Sequence, residues 1–465
     1  MSHTHNIIAI ATPAGAGAIA VIRISGPQAW ELAAAQFVSI HQKDMLQQKS
    51  HSIHLGHIMD GEMALDQVLV SLFKGPNSYT GEDVVEISCH GSAYIQQQIL
   101  QLFVRKGCQI AAGGEFTMRA FLNGKLDLSQ AEAVADLIAS DNAAAHQLAM
   151  NQMRGGFSNE IKVLRQELLN FASLIELELD FAEEDVAFAD RAAFKALLDK
   201  ISRVLRQLID SFALGNVIKN GIPVAIVGAP NAGKSTLLNA LLNEERAIVS
   251  DIAGTTRDTI EDEISIGGIG FRFIDTAGIR DTQDQIEQLG IAKTFEKIQQ
   301  AQLVVYMVDL NMAANDLAVL TADVAAINKL KEAYPNKPLL VMGNKSDLIS
   351  EESLRSIQQQ IPTLTPFSAK KNEGVQTLKD AFLNAVNTGA LKNNDAIVTN
   401  SRHYDALVRA QEEIGKVQQG LATDLSSDLL AIDIRQALYH FGEITGEISS
   451  DELLGNIFAN FCIGK

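Results

Sequence analysis

The sequence predicts a multidomain chain of α/β plus α class. It reads as an N-terminal mixed α/β domain, a helical domain, and a second α/β domain inserted into the helical one, with a mostly parallel sheet and flanking helices. Three observations carry this. At 465 residues the chain is too long for one core. Residues 221–388 alternate short apolar runs with helical stretches, and helical blocks lie on both sides of them. A glycine-rich phosphate-loop pattern stands between an apolar strand and a helical stretch at residues 228–235.

Residues 1–125 make up the first domain. Ile19–Ile24 and Val84–Ile87 read as strands and Ala93–Val104 as a helix, with turn signals at Gly75-Pro76-Asn77 and Gly113-Gly114. Residues 126–219 are expected to be helical. Ser129, with Glu132 three residues on, reads as a capping box ahead of Ala133–Ile138. Ile161, Leu164, Leu168, Phe171 and Ile175 mark one apolar helix face, and Leu197, Ile201, Val204 and Leu208 another. Within 220–388, the expected strands are Pro223–Val227, Phe271–Ile274, Leu303–Val308 and Leu339–Met342. Helical periodicity resumes in 389–465, where Leu407, Ile414, Val417 and Leu421 share one face and Leu430, Ile434, Ala437 and Phe441 another. One helical domain interrupted by the nucleotide domain is the economical arrangement, because domain termini usually lie close together. Two separate helical domains is the alternative.

Composition narrows the function classes. Hydrophobic residues at 47% and charged residues at 20% describe a soluble globular protein. Cys89, Cys108 and Cys462 lie far apart, which argues against a disulfide framework and for a reducing, cytoplasmic setting. No Lys or Arg precedes the first apolar stretch, and Pro13, Gly15 and Gly17 interrupt it, against a secretory signal. No run approaches the ~20 apolar residues of a membrane span. A net charge of −18 disfavours broad binding to nucleic-acid phosphates, while leaving room for a local basic patch or a nucleic acid delivered with a partner.

Four motifs in order describe a magnesium-GTP site. The run from Gly228 to Ser235 fits G-x-x-x-x-G-K-[ST] and places Asn231, Ala232, Gly233 and Thr236 around a phosphate cradle of backbone N–H groups. Lys234 is expected to reach the β- and γ-phosphates, and the Ser235 hydroxyl to ligate magnesium. Asp275-Thr276-Ala277-Gly278 follows a strand, with the Asp275 carboxylate one layer behind magnesium and the Gly278 amide near the γ-phosphate. Between them lies Ser250-Asp251-Ile252-Ala253-Gly254-Thr255-Thr256, where Thr256 is the expected second magnesium hydroxyl, ordered only with the γ-phosphate. Asn344-Lys345-Ser346-Asp347 follows another strand. The Asp347 carboxylate accepts the ring N–H and exocyclic amine of guanine; adenine offers neither donor and would leave it unpaired. Ser368, Ala369 and Lys370 complete the base pocket with a backbone N–H to the guanine oxygen. Together these predict a Ras-like P-loop GTPase domain.

Hydrolysis needs more. Ile279 stands where many such domains carry a water-orienting glutamine, and no arginine is assignable as a charge-stabilising finger, worth about 10³–10⁵ in rate. The runs G-x-P-N-A-G-K-S, D-I-A-G-T-T-R-D, D-T-A-G-I-R, N-K-S-D and F-C-I-G-K, with Gly75–Asp83 and Phe121–Leu128, resemble the tRNA modification GTPase family MnmE, also called TrmE. The resemblance implies that potassium takes the finger's part, held by Asn231, Ser250, the Ile252 carbonyl and Thr255, as two nucleotide domains meet. Ser250 departs from the family's usual threonine but keeps the hydroxyl. Glu287, twelve residues after Asp275, is implied to position water.

The same resemblance implies that the N-terminal domain forms a homodimer and binds a one-carbon tetrahydrofolate (5-formyl- or methylene-tetrahydrofolate). Arg23, Glu86 and Lys125 are the matching positions, with Lys465 reaching the same pocket and Cys462 near the modification chemistry. A structural or tail-docking role is the alternative for Cys462, whose only obvious aid to a thiolate is Lys465. His51, His54 and His57 lack acidic or cysteine ligands nearby and read as a solvated segment, Cys89-His90 as structural, and Glu183, Glu184 and Asp185 as a solvated helix end. The implied function is a potassium-dependent GTPase working with a flavin-dependent MnmG-family partner in a heterotetramer. Together they add an aminomethyl or carboxymethylaminomethyl group at C5 of the wobble uridine in certain tRNAs. Ribosome-assembly GTPases of the Era or Der kind share the nucleotide motifs but add an RNA-binding module or a second nucleotide domain, which this chain does not show. A scaffold switch with dispensable hydrolysis is the other rival.

Overall fold

A computed structural model describes residues 5–180, 190–246, 262–274, 298–385, 397–423, 425–449, 451–459, 461 and 464. They form two compact units, one of Met1–Ala139, Ala149–Gln207 and Asp405–Lys465, the other of Ser140–Leu148 and Leu208–Tyr404. No described helix is long and apolar enough to cross a membrane.

The first unit holds a seven-stranded sheet of β1 (Ile7–Ile10), β2 (Ile19–Ser25), β3 (Phe37–Ser39), β4 (Ser52–Asp60), β5 (Met63–Phe73), β6 (Val84–His90) and β7 (Gln109–Ile110), in the order β3-β4-β5-β6-β2-β1-β7. Alternation along β2 buries Ala20, Ile22 and Ile24 with Val70, Leu72, Val85 and Ile87, beneath Ile99, Leu102 and Phe103 of the helix Ala93–Arg105. Val21 and Arg23 are left on the opposite, half-open face. The expected strands at β2 and β6 are present, and the region of His51, His54 and His57 forms a β4–β5 hairpin that turns at Gly61 with φ 64.

The helical part of this unit packs the helix Gly156–Asp180 against Ser427–Thr445, burying Ile161, Leu164, Leu168 and Ile175 with Leu430, Ile434, Ala437 and Phe441. These are the predicted faces. The expected capping box of Ser129 and Glu132 does not form. The helix spans Leu128–Ala139, so Ser129 and Glu132 lie inside it. Its reciprocal cap is Asp127 with Gln130: the Gln130 N–H donates to Asp127 Oδ1 at 2.8 Å, and the Asp127 N–H to Gln130 Oε1 at 2.9 Å. Ser129, fully buried, instead accepts from the Gln152 amide.

The second unit is a six-stranded sheet of β8 (Ile222–Gly228), β9 (Asp262–Ile266), β10 (Ile269–Phe273), β11 (Leu303–Asp309), β12 (Leu339–Asn344) and β13 (Leu364–Pro366), ordered β13-β12-β11-β8-β10-β9. Every pairing is parallel except the β9–β10 hairpin. All of β11 is buried, as a central parallel strand covered on both faces requires. Val305 and Met307 join the core under the helices Lys234–Arg246 and Val375–Ala385, while Val304, Tyr306 and Val308 join the core under Leu317–Ala333 and Glu351–Gln360.

Candidate functional site

Strand register assembles the site. Gly228 lies opposite Met307, Asp309 opposite Asn344, and Gly343 opposite Pro366. Gly228, Asp309, Asn344 and Phe367-Ser368 therefore emerge together at the carboxyl ends of parallel strands, where open α/β sheets bind ligands. The phosphate loop needs its glycines for two reasons. Gly228 and Gly233 have φ 143 and 95, and a Cβ on either would overlap the Met307 carbonyl oxygen or the Asn344 side-chain amide. Asn231, at φ 61, turns the loop with an exposed side chain. Lys234 opens the following helix, and its Nζ donates to the Gly228 and Ala229 carbonyls at 2.8 and 2.9 Å, which holds the ammonium inside the loop. Ser235 and Thr236 sit in the first helical turn, whose N–H groups carry the positive end of the helix dipole.

Asn344 is the hub between loops. Its Nδ2 donates to the Ala232 carbonyl at 3.0 Å, while its Oδ1 accepts the Lys345 N–H at 2.8 Å and the Ala369 N–H at 3.2 Å. The Ala369 N–H thus braces Asn344. Ser368, fully buried, donates its hydroxyl to Asp347 Oδ1 at 2.8 Å and orients that carboxylate. Lys345 adopts φ 66 and reaches back to Asp309.

A second cluster lies on the open face of the first sheet. Arg23 and Glu86 are cross-strand partners, and Arg23 Nε and Nη2 each lie 2.8 Å from Glu86 Oε1. Arg23 Nη1 donates to the Gly464 carbonyl at 3.3 Å. The guanidinium lies 5.3 Å from the Tyr79 ring centre and 5.6 Å from that of Phe116. Burial pushes the Tyr79 phenol up, against the lowering effects of its bond to Thr117 and of Arg23. Lys125 Nζ donates to the Pro76 carbonyl at 2.9 Å, so the loop between β5 and β6 meets both Lys125 and Arg23. Fully buried Arg119 fixes that loop through Glu82, which also accepts from Ser25.

Sequence reasoning missed Tyr79, Phe116 and Asp309. Tyr79 belongs to a run singled out by its sequence, and Asp309 directly follows the expected strand Leu303–Val308, but only the contacts give either a role. Ser250, Asp251, Ile252, Ala253, Gly254, Thr255, Thr256, Asp275, Thr276, Ala277, Gly278, Glu287, Cys462 and Lys465 lie outside the described residues, as do Glu183, Glu184 and Asp185. Cys89 and Cys108 are buried, and burial pushes both thiols up to about 11. His54 and His57 lie on β4, and no group of metal-ligating side chains occurs among the described residues.

The comparisons with known proteins span the whole chain. A family model described as the MnmE helical domain matches residues 128–462, and one described as the GTP-binding protein TrmE N-terminus matches residues 6–125. The tRNA modification GTPase MnmE of Flavobacterium psychrophilum is 67% identical over 465 residues, covering 100% of both chains. That of Flavobacterium johnsoniae is 66% identical over 470 residues, and that of Christiangramia forsetii 64% over 474, each again covering 100% of both chains. With identity of this order from end to end, the chain belongs to the tRNA modification GTPase MnmE family.

Proposed function

We propose that this protein hydrolyses GTP and couples the hydrolysis to modification of tRNA. The observation that carries the reading is 67% identity over the full chain to a tRNA modification GTPase, joined to a phosphate loop and an N-K-S-D turn that meet at the carboxyl ends of the parallel strands. Amides of the loop and Lys234 bind the phosphates; Asp347, oriented by Ser368, accepts from guanine. Magnesium fits hydroxyl ligands from Ser235 and Thr256. Potassium fits the neutral oxygens of Asn231, Ser250, Ile252 and Thr255, and Asn231 offers an exposed side chain on the loop. Bound there, it supplies the positive charge that an arginine finger supplies elsewhere. Glu287 positions water, a role closed to Ile279.

In the same reading residues 1–125 form the dimerising domain, 126–219 and 389–465 the helical domain, and 220–388 the nucleotide domain. Arg23, Glu86, Lys125 and Lys465 hold a one-carbon tetrahydrofolate, for which half-buried Tyr79 provides a flat ring face and Glu86 an acceptor for ring N–H groups. Cys462 lies near the modification chemistry. A flavin-dependent MnmG-family protein is the partner at the wobble uridine, in the cytoplasm. The deciding experiment is nucleoside analysis of tRNA from cells lacking the protein. Loss of C5-substituted wobble uridines is expected, and an unchanged profile would refute the reading. GTP turnover is expected to be at least about tenfold faster in potassium than in sodium, a small part of what a finger contributes. Equal rates would remove the potassium assignment alone.

A further inference from the structure

We propose that Asp309 is a positioning residue for guanine recognition: by anchoring Lys345 it holds the Asn344–Asp347 turn in the shape that presents Asp347 to the base. The inference rests on the GTP reading above and deepens it. Asp309 ends β11 and is 3% exposed. Its two oxygens do separate work. Oδ1 accepts the N–H groups of Asn311 and Met312 at 3.1 and 3.2 Å, capping the short helix that follows, while Oδ2 accepts from Lys345 Nζ at 2.5 Å. Lys345 needs that hold, because a side-chain-bearing residue at φ 66 and ψ 34 sits in the sparsely populated left-handed region. Of the turn's other ties, Asn344 reaches Ala232 of the phosphate loop and Asp347 reaches Ser368, both on loops that face the nucleotide, while the Ser346 N–H donates to the Phe367 carbonyl at 3.2 Å. The Asp309 contact adds a side-chain tie from Lys345 to a fully buried central strand, beside the backbone pairing that already sets Asn344 against that strand. Asp347 must meet two base N–H groups within ordinary hydrogen-bond geometry, and a turn freed to relax toward negative φ at Lys345 misplaces it.

The test uses the full chain and two nucleotides. Inosine diphosphate lacks the exocyclic amine that Asp347 accepts, so the ratio of its Kd to that of GDP reports the grip of Asp347 on the base. In Asp309→Asn the capping oxygen remains and Oδ2 becomes an amide that faces an ammonium. The ratio is expected to fall about tenfold, with faster GDP release. A purely structural loss would shrink the competent fraction equally for both nucleotides and leave the ratio unchanged. Lys345→Met, which removes the ammonium from a side chain 33% exposed and keeps the Asp309 cap, is the second variant and is expected to lower the ratio likewise. A wild-type ratio in either variant overturns the inference. Failure of the unaltered chain to bind GDP would instead overturn the GTP reading.

Discussion

Gly233 stands at φ 95 with the Asn344 amide against the position a Cβ would take, so the glycine-rich loop and the Asn344–Asp347 turn constrain each other through one hydrogen atom. Gly233→Ala is expected to weaken GDP binding at least about tenfold, since left-handed strain and overlap each cost about 1 kcal/mol or more; titration with a fluorescent GDP analogue measures it. Asp347→Asn exchanges an acceptor for a donor. It should lose about a hundredfold in GDP affinity and gain affinity for xanthosine diphosphate, whose ring carries an oxygen where guanine has its amine. Competition binding with both nucleotides checks that exchange. Cys89 and Cys108, with thiols pushed up to about 11 by burial, stay almost wholly protonated at pH 8. Iodoacetamide should leave both unmodified in the native protein and label them only on unfolding, read by peptide mass spectrometry. Gly233 and Asp347 were legible in the sequence because their chemistry is carried by short spacing. Asp309 was not: its partner Lys345 lies 36 residues away and meets it only through strand register.

The start of the helix Leu128–Ala139 shows the same contrast at the scale of an element. Two overlapping patterns, Ser129 with Glu132 and Asp127 with Gln130, both satisfy the sequence rule for a capping box. Tertiary contacts decide between them, since Asp127 Oδ2 also accepts from Ser158 at 3.0 Å and from Lys162 at 2.7 Å. Asp127→Ala should therefore cost about 1–2 kcal/mol, the usual worth of a cap, and more than Ser129→Ala; denaturant midpoints provide the comparison. Under the helix Leu317–Ala333, Tyr306 donates to Asp323 at 2.8 Å. Burial raises the Asp323 carboxyl, the Tyr306 bond opposes it, and Asp309 adds to the rise. With the folded value above the unfolded one, the contribution of this group to stability is present below the unfolded value and is lost as pH rises through the folded one. Asp323→Asn should accordingly gain stability relative to the natural chain between pH 4 and pH 7, as thermal melts at the two values would show.

For the whole molecule, the two ends of the nucleotide-binding unit meet. Phe212 stacks on Tyr404 with ring centres 4.5 Å apart, and Ser211 Oγ accepts the Val398 N–H at 3.1 Å. An insertion whose ends adjoin leaves its host intact, and residues 149–207 and 405–465 share one compact unit. Because both described nucleotide motifs lie between Leu208 and Tyr404, a fragment of residues 208–404 should bind GDP within about tenfold of the full chain by calorimetry. It should melt lower, having lost the segment Ser140–Leu148, where the Ala144 N–H donates to the Gly268 carbonyl at 2.9 Å.

The sequence by itself determined the multidomain α/β-plus-α class and pointed to the motifs from which a nucleotide site is proposed. Apolar periodicity marks each helix face, and the phosphate-loop and N-K-S-D residues act through contacts a few positions apart. What only the tertiary structure decided are the pairings across long stretches of chain: Arg23 with Glu86 and the Tyr79 and Phe116 rings, Asp309 with Lys345, and Asn344 with Ala232. These depend on which strands become neighbours and in what register, a property of how the whole sheet buries its apolar faces rather than of any local run of residues.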